Sequence, residues 1–113
     1  MKKSFVSALI LMFSLSAAAL APIKGNDALD IVKTLDKMGL KPVAAENVAG
    51  YTNIKTYSLM GLVCQTGLPT NAFNPQVEAT CSLEIVLSVG QLKQIKAILQ
   101  SGGLNSNNAI FKL

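Results

Sequence analysis

The feature that most restricts the fold of this chain is the stretch from Val77 to Leu87, where apolar residues recur at every second position. A period of two places these apolar side chains on one face of a β-strand. That face includes Cys81, one of only two cysteines in the chain. The pattern predicts a half-buried strand at about 77–87, so the partner of Cys81 becomes the main constraint on the sheet.

The second cysteine, Cys64, lies in another strand-like stretch at about 54–65. If the two stretches pair as an antiparallel hairpin with Cys64 opposite Cys81, the register that joins the sulfurs also joins apolar side chains. We therefore predict a Cys64–Cys81 disulfide, which contributes about 3 kcal/mol in the chain-entropy model. The same register predicts two further pairs: Leu62 with Leu83, and Met60 with Ile85.

The alternation within 54–65 is less regular than in its partner, because apolar residues occur at both odd and even positions. A strand that is apolar on both sides is typical of a central position or of a sheet covered on both faces. Gly61 in its middle indicates a bulge or a close approach by another backbone segment.

Two stretches have the three-and-four spacing of amphipathic helices, at about 27–38 and 89–101. The second is preceded by Ser88 and has Gln91 three residues later, which matches the capping-box pattern. Gly39 follows the first helix and Gly102 follows the second, as expected for helix ends.

Taken together, these elements predict an α+β domain: a small antiparallel sheet built on the disulfide-linked hairpin, with both helices packed on one face. Whether 43–49 and 109–113 add further edge strands is left open by their short and irregular patterns.

The first 19 residues have the features of a secretory signal peptide: a basic start at Lys2 and Lys3, an apolar middle, and small residues at the end. Cleavage after Ala19 or after Ala21 fits the small-residue rule, and either leaves a single α+β domain at 22–113. Loss of the two lysines lowers the formal net charge from +4 to +2. We expect a periplasmic or secreted protein with no stable membrane insertion after cleavage, a setting in which disulfides persist.

The residue types present argue against several functional classes. The chain has no histidine, so the common triads and the usual neutral-pH base are absent, and we expect no enzyme activity. Two cysteines without histidine fall short of the four ligands that a structural zinc site needs, and we expect no metal or cofactor. With no arginine or tryptophan, the chain also lacks the side chains typical of nucleic-acid recognition.

The best candidate for function is the loop between the two predicted strands, 67–76, which is rich in proline and asparagine. A proline-stiffened loop tethered by a disulfide loses little entropy when it docks into a partner. We therefore predict a non-enzymatic protein-binding module, with an inhibitor or immunity-type protein acting on an envelope or secreted hydrolase as one form. The predicted partner-binding residues are Leu68, Pro69, Thr70, Asn71, Phe73 and Asn74.

Two alternatives stay open from the sequence. Leu68 and Phe73 can instead fold back onto the hairpin and serve only as core residues. In a different class of function, the chain is a small periplasmic carrier or envelope accessory protein that holds an apolar ligand between helices and sheet. The adaptable side chains of Met38 and Met60 motivate that second hypothesis.

Overall fold

A computed structural model of the chain describes residues 22–71, 73–84 and 86–113. The predicted signal peptide and its cleavage site lie outside these residues. The elements follow one another along the chain as β1 (Ile23–Lys24), α1 (Gly25–Lys37), β2 (Val43–Ala44), β3 (Tyr51–Leu59), β4 (Leu62–Pro69), β5 (Glu78–Leu83), α2 (Val89–Ser101) and a 3-10 helix (Ala109–Lys112).

The strands form one five-stranded sheet in the order β1-β5-β4-β3-β2, in which every neighbouring pair is antiparallel. β1 brings the start of the described chain back to the edge of β5, where Ile23 pairs with Cys81. The fold is α+β, as predicted. β1 was not predicted, because two residues are too few to show a periodic pattern.

The predicted disulfide between Cys64 and Cys81 is present. The two residues are directly opposite each other on β4 and β5, and the neighbouring pair is Leu62 with Leu83, as the register argument required. The ladder is shorter than predicted at the far end of β5. Its last pair is Leu62 with Leu83. The N–H of Glu84 still bonds to the carbonyl oxygen of Gly61, but Gly61 belongs to the turn before β4, so the ladder goes no further.

The predicted single strand at 54–65 is wrong, since this stretch contains a hairpin of two strands, β3 and β4. Met60 and Gly61 form the turn between them, with φ values of 51° and 99°. Positive φ at both central residues matches the tight turns whose twist suits antiparallel strands. Met60 thus lies in this turn and not in a strand, and Ile85, its predicted partner, lies outside the described residues.

The hairpin also explains why 54–65 is apolar at both odd and even positions. Across the turn, Leu59 pairs with Leu62 and Tyr57 pairs with Cys64. Odd-numbered residues therefore face the core before the turn, and even-numbered residues face it afterwards. The apolar residues of both strands near the turn therefore share the core face, whereas Ile54, at the start of the stretch, is buried on the opposite face of β3.

The sequence left open whether 43–49 and 109–113 are edge strands, and the structure gives a different answer for each. Within 43–49, only Val43–Ala44 joins the sheet, and Val48 forms an isolated bridge with Tyr51. The segment 109–113 is not a strand, because residues Ala109–Lys112 form a 3-10 helix. Asn108 holds this helix in place: its Oδ1 accepts from the N–H of Ile110, and its Nδ2 donates to the carbonyl oxygen of Asp27.

Both predicted helices are present, and α2 begins with the predicted capping box between Ser88 and Gln91. One hydrophobic core lies between the helices and a single face of the sheet. The fully buried side chains of greatest volume are Ile31, Leu35, Leu62, Ile95, Leu99, Ile110, Cys64 and Cys81. The disulfide is thus at the centre of the core and out of contact with solvent.

The opposite face of the sheet, here called the outer face, is set by the same registers. One row of this face runs across all five strands. Its members are Lys24, Thr80, Gln65, Thr56 and Val43. In this row, the side chains on the two edge strands, Lys24 and Val43, are exposed, and the three between them are half-buried.

Candidate functional site

The predicted loop 67–76 is shifted and shortened in the structure. Gly67 still pairs with Glu78, and Pro69 still pairs with Tyr51, so the first three predicted loop residues belong to β4. The connection outside the ladder is 70–77, here called the tip loop. Its side chains at Thr70, Asn71, Phe73, Asn74 and Val77 are exposed.

Phe73 is the most exposed large apolar side chain in the described part of the chain, with 95% of its surface accessible. It does not fold back onto the hairpin. The two predicted loop residues on β4, Leu68 and Pro69, are half-buried. The structure therefore separates the predicted set into residues at the base of the tip loop and residues that project from it.

The backbone next to Phe73 has an unusual conformation. Asn74 has a φ of 57°, in the left-handed region that L-residues other than glycine seldom occupy. Asparagine tolerates this region better than most residues, but the following Pro75 restricts it further. Such conformations persist where the surrounding structure requires them, and they occur often at binding sites.

The tip loop is tied to the neighbouring turn before β3. The N–H of Thr70 donates to the carbonyl oxygen of Gly50 at 3.0 Å, and the hydroxyl of Thr52 donates to the carbonyl oxygen of Leu68 at 3.5 Å. The base of the tip loop is therefore supported by β3 as well as by its own strands.

A bulge in β3 determines which side chain covers this base. The register between β3 and β4 shifts between Thr52 and Lys55. Asn53 within the bulge has a φ of 56°, and its N–H donates to Oδ1 of Asn47 at 3.1 Å. The extra residue changes the parity of β3, so that Tyr51 lies on the outer face with Glu78 and Ile54.

Tyr51 crosses β4 on that face. Its hydroxyl donates a hydrogen bond to Oε1 of Glu78 on β5 at 2.8 Å. Between them lies Gly67, where a Cβ would be 3.2 Å from Cδ1 of Tyr51 and 3.6 Å from Cγ1 of Ile54. The hydrogen bond to Glu78, together with partial burial and the carboxylate charge, raises the pKa of Tyr51 above 10.0.

Sequence reasoning did not identify Tyr51 or Glu78 as part of this region, because both lie outside the predicted loop 67–76. The available signal was Gly67, a glycine at the end of a strand that leaves room for an aromatic ring from a neighbour. The bulge that directs the ring there has no clear sequence pattern.

A second group of exposed apolar residues lies at the other end of the sheet, near the Met60–Gly61 turn. Met60 is 45% exposed, Val86 is 84% exposed and Val89 is 72% exposed. Met38, which motivated the carrier hypothesis together with Met60, is also exposed. Neither methionine lies within the core between helices and sheet.

Within the described ranges, no three side chains among cysteine, aspartate and glutamate come together in a way that suits a metal ion. In the same residues, no helix has the length and apolar character needed to cross a membrane. Compared with known proteins, the chain matches no family model, no curated protein and no solved structure.

Proposed function

We propose that this chain is an exported, non-enzymatic protein-binding module that acts through the tip loop, with Phe73 as its central contact. An inhibitor or immunity-type protein directed at an envelope or secreted hydrolase is the form that best suits a projecting loop. The observation that carries the proposal is the 95% exposure of Phe73. A single aromatic side chain held in water contributes nothing to the core, but it is a typical anchor in protein interfaces.

The support beneath the tip loop adds to this proposal. The loop leaves the sheet from β4 and β5, which are joined by a buried disulfide three residues below Gly67 and Glu78. Its first residue, Thr70, is bonded to Gly50. A loop with a fixed base loses less conformational entropy on binding, so more of the contact free energy remains as affinity.

Export is proposed on two grounds. The first is the signal-peptide pattern of residues 1–19. The second is the disulfide, since disulfides persist mainly in oxidising compartments such as the periplasm and the extracellular space. The partner is thus expected among proteins of the envelope or the medium, with an apolar pocket large enough for a phenyl ring.

The test is a capture experiment with matched variants. Wild-type protein, Phe73→Ala and Val86→Ala are immobilised and exposed to envelope extract and culture medium of the native host. Val86 is the control because it is also apolar and highly exposed, but lies at the opposite end of the sheet. We expect one stoichiometric partner on the wild type and on Val86→Ala.

For Phe73→Ala, we expect the affinity for that partner to fall by about 30-fold or more, the effect of removing an aromatic hot-spot residue. A photo-crosslinking amino acid placed at position 73 is expected to label the same partner, and one at position 89 is not. Equal capture by the wild type and Phe73→Ala would show that the tip loop is not the binding surface.

A further inference from the structure

We infer that Tyr51 is a positioning residue for the tip loop: it spans β4 and bonds to Glu78, and thereby holds the two stems of the loop in the geometry that presents Phe73. The inference rests on the proposed function for its biological meaning, but the positioning itself is a property of the free protein. The Tyr51–Glu78 contact would thus fix the base of the tip loop in a way that neither the disulfide nor the prolines do.

The side chain of Tyr51 connects three neighbouring strands. Tyr51 belongs to β3, its ring lies over Gly67 on β4, and its hydroxyl is 2.8 Å from Oε1 of Glu78 on β5. Glu78 is the first residue of β5, directly after the tip loop. Pro69, opposite Tyr51 in the register, is the last residue of β4, directly before the tip loop. Tyr51 therefore contacts or pairs with both ends of the loop.

The remaining ties at this end of the sheet do not replace that contact. The ladder between β4 and β5 ends at Gly67 and Glu78, and the bond from Thr70 to Gly50 restrains only the β4 side. Among the described residues, the hydrogen bond that joins β3 to the β5 stem of the tip loop is the one from the Tyr51 hydroxyl to Glu78. Its loss leaves the second stem without a side-chain tie to β3.

Local positioning differs from general stabilisation in what it predicts. Tyr51 is 37% exposed, and its hydrogen bond lies at the surface, so its removal affects the global free energy of unfolding little. The effect is expected in the tip loop. We therefore choose amide hydrogen exchange and NMR order parameters of residues 70–77 in the free protein as the readout, because they report local opening and fast motion.

Three variants test the contact: Tyr51→Phe removes only the hydroxyl, Glu78→Ala removes the acceptor, and Glu78→Gln keeps an acceptor oxygen. We expect amide exchange at Thr70 and in the tip loop to become roughly fivefold faster in Tyr51→Phe and in Glu78→Ala, the change expected from one lost hydrogen bond. Glu78→Gln is expected to stay near the wild type. The double variant Tyr51→Phe/Glu78→Ala is expected to be no faster than either single variant, because both remove the same bond.

A control separates this effect from loss of stability. Ile95→Val shortens a fully buried side chain on α2, outside the three strands that Tyr51 joins, and is expected to leave loop exchange and order parameters unchanged. Wild-type loop dynamics in Tyr51→Phe, or additive effects in the double variant, would overturn the inference. Since no partner is needed, that outcome is distinct from failure of the proposed function, which is decided by Phe73→Ala in the capture experiment.

Discussion

The hydroxyl of Tyr57 donates a hydrogen bond to Oδ2 of Asp36 at 3.2 Å, and this bond joins the centre of β3 to the last turn of α1. Tyr57 also pairs with Cys64 and lies in the same row as the disulfide. Burial of the ring, the hydrogen bond and the charge of Asp36 together raise the pKa of Tyr57 from 10.0 to about 12.

This relationship predicts a loss of stability in alkaline solution. The folded-state pKa lies above the unfolded value, so the folded state retains the proton longer, and the stabilisation is fully present below about pH 10. It is lost as the pH rises from about 10 to about 12. Because Asp36 is exposed, we expect a loss of only about 1 kcal/mol in the free energy of unfolding.

The measurement is urea unfolding of the wild type and Tyr57→Phe at several pH values from 8 to 12. The advantage of the wild type over Tyr57→Phe should decrease through this window, whereas every other group of the chain is the same in the two proteins. A difference between the two proteins that does not change with pH would contradict the assignment.

The disulfide predicts a large effect on stability. In Cys64→Ala/Cys81→Ala, the chain loses a cross-link that closes a loop with a sequence separation of 17 residues. We expect the free energy of unfolding to decrease by about 3 kcal/mol, with a further contribution from the small cavity left at two fully buried positions. Chemical denaturation measures it; a loss below about 1 kcal/mol would show that the unfolded chain is already restricted without the bond.

The turn between β3 and β4 predicts a stabilising substitution. Met60 has a φ of 51°, which is unfavourable for a residue with an unbranched apolar side chain, and Gly61 follows it. Asn-Gly is the preferred pair for such turns. Because Met60 is exposed, Met60→Asn should raise the free energy of unfolding by about 0.5–1 kcal/mol. Met60→Ala is the control and should give no gain, and equal stability of the two variants would argue against the turn geometry.

Asn108 predicts a difference between two closely similar substitutions. Its side chain is buried, accepts from the N–H of Ile110 and donates to the carbonyl oxygen of Asp27. Asn108→Ala loses both bonds and should destabilise by about 2 kcal/mol. Asn108→Asp keeps the acceptor but directs a carboxylate at the Asp27 carbonyl, so thermal unfolding should show that it becomes more destabilising as the pH rises above the aspartate pKa.

Phe73 should contribute little to the stability of the fold, unlike a core residue. With 95% of its surface exposed, Phe73→Ala is expected to change the free energy of unfolding by less than about 0.5 kcal/mol. Ile110→Ala, at a fully buried position, should cost about 2–5 kcal/mol. A marked destabilisation by Phe73→Ala would mean that the ring packs against the protein in solution, which would remove the main support for the proposed function.

Some features of this structure follow from short-range patterns. Helices α1 and α2 were predicted from their apolar spacing, and the capping box from Ser88 and Gln91. The pairing of Cys64 with Cys81 was predicted from the signal-peptide pattern and from a register that also matched Leu62 with Leu83. Each of these features has a cause that can be seen in residue spacing. The helices and the strand follow from the period of their apolar residues, and the disulfide follows from the positions of two cysteines in paired strands.

Other features depend on contacts that the sequence does not show. A two-residue turn at Met60 and Gly61 reversed the parity of the buried face, so the pattern of 54–65 resembled one strand that is apolar on both sides. The bulge at Asn53 changed the parity of β3 again and brought Tyr51 to the outer face.

The sequence by itself thus determined the class of fold, both helices, the disulfide and the general position of an exposed loop, because periodicity and covalent chemistry are local constraints. Only the tertiary structure decided that Phe73 projects into solvent and that Tyr51 reaches Glu78 across Gly67. The first depends on the conformation of a loop that has no periodic pattern. The second depends on how three strands are aligned, since a shift of one residue in any of them moves every following side chain to the opposite face.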